Sequence, residues 1–337
     1  MDLSIIIPTY NAEKHINKCL NSILNQKPKN TEIIIVNDGS TDNTLEICKQ
    51  YANTNPNIKI ITKENAGQGL ARNAGLEIAT GEYITFIDSD DYFEDNCLNE
   101  VLKIIPKEKK DLYIGDYKRI TENHQIIKLN KRTPKKYTKK HDYPAIINNQ
   151  INTENKTSFG STACGKFYKL KIIKENNIKF LSERIYFSED MIFNLEYLKH
   201  INEVIILGKI IFNYVMHTTS FTHKYHDDYF NKLKKMDEYY HSLENYLTIK
   251  DFQKNISKKL FEYLKASIIN EVKFCKNIGF KQTLTNINKF CNYHTIKQNI
   301  DEIINYSTGL NKIFAILIKK NMKVGTFIFF KLYLIIK

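Results

Sequence analysis

Short apolar runs alternate with helix-spaced apolar residues along about the first hundred residues of the chain. Each apolar run predicts a strand and each helical spacing a helix. The predicted strands are 3–7, 32–36, 58–62 and 83–87, and the predicted helices are 12–25, 44–52 and 69–79. Strands and helices that alternate with short loops favour a parallel sheet with right-handed crossovers and helices on both faces. The sequence therefore predicts an α/β fold, Rossmann-like and mostly parallel.

The pattern changes in the rest of the chain. Residues 107–156 are polar and rich in lysine, which predicts a mobile solvated loop; a basic patch for an anionic acceptor, centred on 135–140, is the alternative. Residues 226–305 carry Tyr and Leu at helical spacings without a catalytic cluster. We expect one domain over 1–223, with halves 1–105 and 106–223, and a helical C-terminal region over 224–337. That region could hold a substrate or support a dimer.

Polar residues stand directly after three of the predicted strands. Residues 8–11 follow the first strand, Asp38 follows the second, and residues 88–91 follow the fourth. Ligands of open parallel sheets bind beyond the carboxyl ends of the strands. The sequence therefore predicts a ligand site at this one edge of the sheet.

Asp88 and Asp90 stand two residues apart at a strand end, so we expect their side chains on one face, with Ser89 pointing away. Two ionised carboxylates side by side need a cation. Oxygen ligands suit Mg²⁺ or Mn²⁺, which keep positions open for substrate phosphate oxygens. The alternative is a polar strand end that caps the next helix.

Asp38 and Arg72 each allow two interpretations. Asp38 could accept a hydrogen bond from a pyrimidine imide N–H, or it could belong to turn and helix-cap chemistry. Arg72 could pair with a diphosphate as a bidentate donor, or be an ordinary surface arginine. The nearby glycines 67, 69 and 75 do not match the dinucleotide fingerprint, because the third comes too late and the segment follows the third strand. A nicotinamide enzyme is therefore disfavoured.

Composition narrows the class of protein only moderately. A chain of 337 residues with 42% hydrophobic residues can form a real core, which argues against global disorder. The formal charge of +13 suits phosphate-rich partners, but the Lys- and Asn-rich bias of an AT-rich genome gives the same charge. No nucleic-acid motif accompanies it, so we expect no nucleic-acid partner. The six cysteines are widely spaced and predict reduced core thiols, and the first residues lack a signal-peptide pattern, which predicts a cytoplasmic catalytic part.

Three motifs stand in order at appropriate distances: SIIIPTYN at 4–11, VNDGSTD at 36–42 and FIDSDD at 86–91. With 65–75 and 81–83 they resemble a family 2 glycosyltransferase, strongly over about the first hundred residues and weakly over 161–222. The resemblance implies a GT-A fold and an inverting transfer from a nucleotide sugar with Mn²⁺ or Mg²⁺. Residues 1–105 would bind the nucleotide sugar and 106–223 the acceptor.

The resemblance also implies roles for residues of these motifs. Asp90 is the implied metal ligand, and Asp88 contacts the ribose or the metal. Thr9 and Asp38 contact the base or ribose, and Asp91 shapes the acceptor side. The implied substrate-binding residues of the first hundred are Pro8, Thr9, Tyr10, Asn11, Asp38, Arg72, Asp88 and Asp91.

Downstream, the resemblance implies that Asp190 is the catalytic base and that Glu189 positions the acceptor. The residues alone favour a helix over 191–199 that Ser188 caps, with both acids at its positive end. The resemblance places Lys166 in the acceptor site, where the preceding Cys164 and Gly165 depart from the family pattern. It also implies that His217 touches metal or phosphate; a packing histidine is the alternative.

The end of the chain is basic and apolar. After Glu302 there are no acids and six lysines, and apolar stretches cover 313–318 and 324–330. Neither stretch reaches the roughly 20 apolar residues that span a bilayer, and lysine-flanked stretches are typical of helices at a membrane interface. A last helix packed on the protein is the alternative. We expect a peripheral enzyme on the inner face of the cytoplasmic membrane.

Together these features predict a transferase that moves a hexose or N-acetylhexosamine from a UDP-sugar to a saccharide acceptor. The acceptor is expected to be lipid-linked or part of a bacterial surface polysaccharide or lipooligosaccharide. The alternative is a nucleotide-sugar-binding module without catalysis, which would bind the donor without depending on Asp190.

Overall fold

The computed structural model describes residues 1–152, 157–217, 225–244 and 248–336. The described residues form two compact units. One contains Met1–Arg184 and residues 188–217, and the other contains Ile185–Phe187 and the residues from 225 onward. The predicted boundary between 223 and 224 lies outside the described residues.

The N-terminal half of the first unit is the predicted α/β sandwich. Strands β1 to β4 are Leu3–Thr9, Thr31–Asp38, Ile58–Lys63 and Tyr83–Phe86. Helices α1 to α3 are Ile16–Leu24, Thr44–Thr54 and Gln68–Ile78. The strands pair in parallel in the order β3-β2-β1-β4, and β1, β2 and β4 are buried along their whole length. Because these strands are covered on both faces, their sequences are mostly apolar, and the polar residues within them, such as Ser4 and Glu32, are buried as well.

The rest of the first unit extends the same sheet. Its strands β5 to β10 are Tyr92–Phe93, Leu112–Thr121, Ile126–Asn130, Lys135–Thr138, Lys166–Lys169 and Glu203–Met216. Its helices α4 to α7 are Cys97–Glu108, Lys139–Ile151, Leu170–Glu175 and Glu189–Leu198. The full order is β3-β2-β1-β4-β9-β6-β10-β5, with β7 on β6 and β8 on β10. Strand β9 runs antiparallel to both β4 and β6, so this half of the sheet is mixed.

The prediction of a mobile loop over 107–156 is wrong for the residues that are described there. They form β6, β7, β8 and α5. In β8 the side chains of Lys135 and Lys136 are exposed while that of Tyr137 is buried, so this strand contains a single buried apolar residue and no apolar–polar alternation. Lysines on an exposed strand discourage pairing with other chains. One buried tyrosine was too weak a signal to predict the strand.

The second unit confirms the predicted helical C-terminal region. Its helices α8 to α15 are Tyr229–Glu244, Phe252–Lys273, Cys275–Ile278, Phe280–Cys291, His294–Gln298, Ile300–Tyr306, Gly309–Lys319 and Lys323–Ile336. The long helix α9 packs against α8, α11, α12, α13 and α15. Most of its apolar side chains are buried, because neighbours surround it on several sides.

All six cysteines are free, and five of them are buried. The exception is Cys275, which is half-buried. The prediction of core positions is confirmed for five of the six, and that of reduced thiols stays a prediction.

Candidate active site

A buried arginine organises the carboxyl edge of the sheet. Arg72 lies on α3, and its side chain is 1% exposed. Its guanidinium donates to the carboxylates of Asp190 (2.7 Å), Glu189 (3.2 Å) and Asp88 (2.8 Å). The first two stand at the start of α7 and the third follows β4. One guanidinium therefore joins the motif that follows β4 to an acidic pair more than a hundred residues downstream.

Burial and charge shift the pKa values of this cluster. Burial alone would lower the pKa of Arg72, but the carboxylates of Asp190 and Asp88 raise it. Burial raises the pKa of Glu189 to about 8, with the Asp190 charge adding to the rise and Arg72 opposing it. Burial also raises the pKa of Asp190 against the opposing effect of Arg72. Asp190 is thus more basic than an ordinary aspartate, which suits the acceptance of a proton.

Asp190 is fixed on both sides of its carboxylate. One oxygen accepts from Arg72, and the other accepts the backbone N–H of Ala163 at 2.9 Å. Glu189 and Asp190 occupy the first turn of α7, where negative charge complements the helix dipole. Ser188 takes the N-cap position but makes no side-chain capping bond, so its expected capping role is wrong. The acidic pair is held by tertiary contacts in place of that cap.

The Asp88–Asp91 segment is a turn, because the N–H of Asp91 donates to the carbonyl of Asp88 at 3.0 Å. The expected extended geometry, with Asp88 and Asp90 on one face of a strand, is therefore wrong. Asp88 accepts from Arg72 and from the Gln68 amide. Asp90 is 45% exposed, whereas Asp91 is buried and accepts the N–H of Val215. The three carboxylates face different partners.

His217, just after β10, lies beside this turn. Its Nε2 lies 3.6 Å from an Asp90 carboxylate oxygen, and its Nδ1 lies 2.8 Å from a Glu122 oxygen. Its ring also contacts the His15 ring, with 4.4 Å between centroids. Sequence reasoning missed His15 and Glu122, because neither belongs to a local motif and both meet His217 only through the fold. The following residues 218–220 lie outside the described residues.

The side chains of Asp90 and His217 have the chemistry of divalent-cation ligands. Partial burial and the Asp88 charge raise the pKa of Asp90 to about 6, with His217 opposing the rise. Asp91 Oδ2 and His217 Nε2 are buried without hydrogen-bond partners among the described residues. The described residues contain no ready-made cluster of three or more metal-binding side chains. Asp90 and His217 therefore fit a cation that takes further ligands from a bound phosphate.

The end of β1 and the loop that follows it carry four of the predicted substrate-binding residues. Pro8 and Thr9 end β1 and are buried, while Tyr10 is 51% exposed. Asn11 has a φ of 45° and bridges to the next loop, since its side chain accepts the N–H of Thr41 and its own N–H donates to Ser40. The structure thus brings the loops after β1 and β2 together.

Asp38 is buried at the end of β2 and is already well bonded. Its carboxylate forms an ion pair with Lys63 at 2.6 Å and accepts the N–H groups of Ala66 and Gly67. These bonds fix the loop that leads into α3, as turn chemistry requires. A contact of Asp38 with a nucleotide base stays a prediction.

The start of α3 has an acidic partner that the sequence did not reveal. The carboxylate of Glu183 accepts the N–H groups of Gln68 and Gly69, which belong to the first turn of the helix. Gly69 is required there, because an added Cβ would lie 2.5 Å from the carbonyl oxygen of Leu181. The contact brings α3, and with it Arg72, against residues 180–183.

Lys166 is buried at the start of β9. Its ammonium donates to the carbonyls of Gly160 (2.9 Å) and Thr162 (2.6 Å). Burial and the neighbouring Arg132 charge lower its pKa to about 7. The preceding Gly165 has a φ of 70°, and an added Cβ would lie 2.7 Å from the ring of Phe212. Close packing therefore explains the glycine that departs from the family pattern.

Known proteins resemble this chain in sequence and in fold. Glycosyltransferase GlyA of Streptococcus pneumoniae is 35% identical over 213 residues, which is 63% of this chain and 30% of GlyA. Poly(ribitol-phosphate) beta-N-acetylglucosaminyltransferase TarS of Staphylococcus aureus is 29% identical over 217 residues, which is 64% of this chain and 35% of TarS. The chain thus spans about a third of the length of these relatives.

The crystal structure of S. aureus TarS 1–349 in complex with UDP-GlcNAc superposes with a TM-score of 0.70 at 22% identity. The superposition covers 99% of this chain and 91% of that one, and at this identity it establishes a shared fold. The family description for glycosyl transferase family 2 matches residues 4–175, about half of the chain. The chain therefore belongs to glycosyl transferase family 2.

Proposed function

We propose that this glycosyltransferase moves a hexose or N-acetylhexosamine from a UDP-sugar to a saccharide acceptor, with inversion at the anomeric carbon. The observation that carries the proposal is the Arg72 cluster, which places Asp190 beside the Asp88–Asp91 turn. Asp190 is suited to accept the proton of the acceptor hydroxyl and the turn is suited to the donor diphosphate, so the two would serve the two reactants of one transfer.

In the proposed reaction Asp190 is the base. The acceptor hydroxyl gives its proton to the Asp190 carboxylate while its oxygen forms a bond to the anomeric carbon. The bond from that carbon to the diphosphate oxygen breaks on the opposite face, and UDP leaves with the electron pair. Arg72 and the N–H of Ala163 keep Asp190 in one orientation, so they are positioning groups. Glu189, beside Asp190, would position the acceptor.

Asp90 and His217 are the residues that would hold Mn²⁺ or Mg²⁺. When bound, the cation would neutralise charge on the departing diphosphate. The mannosyltransferase PcManGT of Pyrobaculum calidifontis, a structural neighbour with a TM-score of 0.53, has been solved with GDP-Man and Mn²⁺. Asp88, which is bonded to Arg72, would contact the ribose or the metal, and Asp91 would shape the acceptor side.

The nucleotide preference tests the donor half of the proposal. We expect UDP to bind about tenfold more tightly than CDP, because cytosine lacks the N3–H that uracil can donate and the site then loses about one hydrogen bond. Isothermal titration calorimetry of UDP, GDP and CDP with Mn²⁺ measures this directly. Equal affinity for all three nucleotides would contradict a base contact by Asp38 and Thr9, while metal-dependent binding of each would still agree with Asp90 and His217.

The last two helices carry the proposed membrane surface. Within the described part of the chain, no helix is long and apolar enough to cross a bilayer. Helix α15 buries Phe327 and Phe330, yet it exposes Ile328 (51%), Leu332 (55%) and Ile335 (73%). The outer face of α14 is likewise apolar, with Leu310, Ile313 and Ile316 exposed. Apolar side chains next to lysines fit the headgroup region of an anionic membrane.

This surface would place the enzyme on the inner face of the cytoplasmic membrane, beside a lipid-linked or surface-glycan acceptor. We expect the protein to sediment with phosphatidylglycerol vesicles and not with phosphatidylcholine vesicles. The double variant Ile328→Glu, Leu332→Glu should bind at least about tenfold more weakly, because two apolar side chains no longer enter the lipid. Ile126→Glu, at an exposed position of β7, is the matched control. Equal sedimentation of the double variant and the wild type would contradict the proposed surface.

A further inference from the structure

A cavity of about 380 Å³ lies beside the proposed base, in the first unit. One wall comes from the end of β7 and the residues after it, including Lys128, Lys131 and Arg132. The other comes from the segment that enters β9, including Thr162, Cys164 and Lys166. None of the motifs in the first hundred residues contributes to it, so the donor site does not account for this cavity.

The cavity is strongly basic. Four of its lining side chains are cationic types, and among the described residues only Arg132 has an acidic partner, the buried Asp116. Lys128 and Lys131 are exposed, and neither forms an ion pair with any described residue. Like charges around one cavity repel each other, so an anion that enters it gains from all of them.

Lys166 supplies a donor at the bottom of the cavity. A lysine ammonium carries three N–H donors, and two of them go to the carbonyls of Gly160 and Thr162. The third has no partner among the described residues. Since burial lowers the pKa of Lys166 to about 7, an anion beside it would also favour its charged form.

The cavity lies next to the reaction centre. Thr162 and Cys164 line it and flank Ala163, whose N–H donates to the Asp190 carboxylate at 2.9 Å. The cavity therefore adjoins the backbone segment that holds the proposed base. A ligand at this position belongs to the acceptor side.

We infer that this cavity binds a phosphate group of the acceptor, with Lys128, Lys131 and Lys166 as its donors. The inference rests on the proposed function and deepens it, because it assigns the acceptor to the phosphate-bearing saccharides and polyols. Two sources share this chemistry: a phosphate within a polyol-phosphate chain, and the diphosphate of a lipid-linked saccharide.

The test measures phosphate binding while UDP and Mg²⁺, which is diamagnetic, saturate the donor site. The probes are sn-glycerol 3-phosphate, geranyl diphosphate and uncharged glycerol, observed by ligand-detected NMR. We expect at least one phosphate probe to bind and glycerol not to bind. Tighter binding of glycerol 3-phosphate indicates the polyol-phosphate source, and tighter binding of geranyl diphosphate the lipid-linked source.

The double variant Lys128→Gln, Lys131→Gln should bind the phosphate probe about fivefold more weakly, because two solvent-screened charges are lost. Lys49→Gln with Lys171→Gln removes two exposed lysines from outer helices and serves as the matched control. The inference would be overturned if the double variant Lys128→Gln, Lys131→Gln bound the phosphate probe as tightly as the wild type. It would also be overturned if glycerol bound as tightly as the phosphate probes. A separate titration of each variant with UDP alone tests the proposed function independently: lost UDP binding would count against the donor site, whereas lost phosphate binding with normal UDP binding would count against this cavity only.

Discussion

Replacing Asp190 with asparagine is expected to slow sugar transfer about a thousandfold, because a positioned general base contributes roughly 10²- to 10⁴-fold. Asparagine keeps the size of the side chain, and its oxygen can still accept the N–H of Ala163. UDP should therefore bind with nearly unchanged affinity. The measurement is the initial rate of UDP release with acceptor present, together with the calorimetric Kd for UDP.

Glu196→Gln is the matched control, since this acid lies on the same helix and pairs with Lys199. Its transfer rate should stay close to that of the wild type. A transfer rate for Asp190→Asn within about threefold of the wild-type rate would show that another group accepts the proton, because removing a general base lowers the rate by much more than that.

Replacing Arg72 with methionine is expected to lower the free energy of unfolding by about 3–5 kcal/mol, the usual cost of removing one partner from a buried ion pair. Asp88, Glu189 and Asp190 would then face one another without the cation. Arg184→Met, which removes an exposed arginine bonded to Asn65, should change stability by less than about 1 kcal/mol.

The deficit of Arg72→Met should also depend on pH. Without the arginine, the pKa values of the buried carboxyl groups in the folded state rise further above those in the unfolded state. Folding then takes up protons, so the variant loses stability as the pH rises. Urea denaturation at pH 5.5 and pH 8 should show the larger difference from wild type at pH 8. A deficit that is small or independent of pH would contradict the ion cluster as the organiser of the site.

The periodicity of the sequence predicted the N-terminal half of the fold closely. The mostly apolar runs 3–7 and 32–36 favoured buried strands between helices, and the structure places both in the parallel part of the sheet. Polar residues at the strand ends then identified the edge that carries the site. Local pattern sufficed here because each βα unit is built from residues that are close in sequence.

The partners inside the site could not be predicted in the same way. Arg72 contacts Asp88 across 16 residues and Asp190 across 118 residues, and no spacing rule connects such positions. An arginine in the middle of a helix resembles any surface arginine until its neighbours are known. The same holds for Glu122 and His217, which meet through the pairing of β6 with β10. The family resemblance implied that Asp190 is the base, whereas only the fold showed that Arg72 and the N–H of Ala163 fix its carboxylate.

The most direct test of the proposed transfer is a UDP-release assay on the purified protein, with Mn²⁺, acceptor extract and a panel of UDP-, GDP-, dTDP- and CMP-sugars. Wild type should release UDP from at least one UDP-hexose or UDP-N-acetylhexosamine, and EDTA or the Asp90→Ala substitution should abolish that release. Donor binding without any release in the presence of acceptor extract would contradict the account. Release that stays at the wild-type rate after EDTA is added, or after Asp90→Ala, would contradict it too.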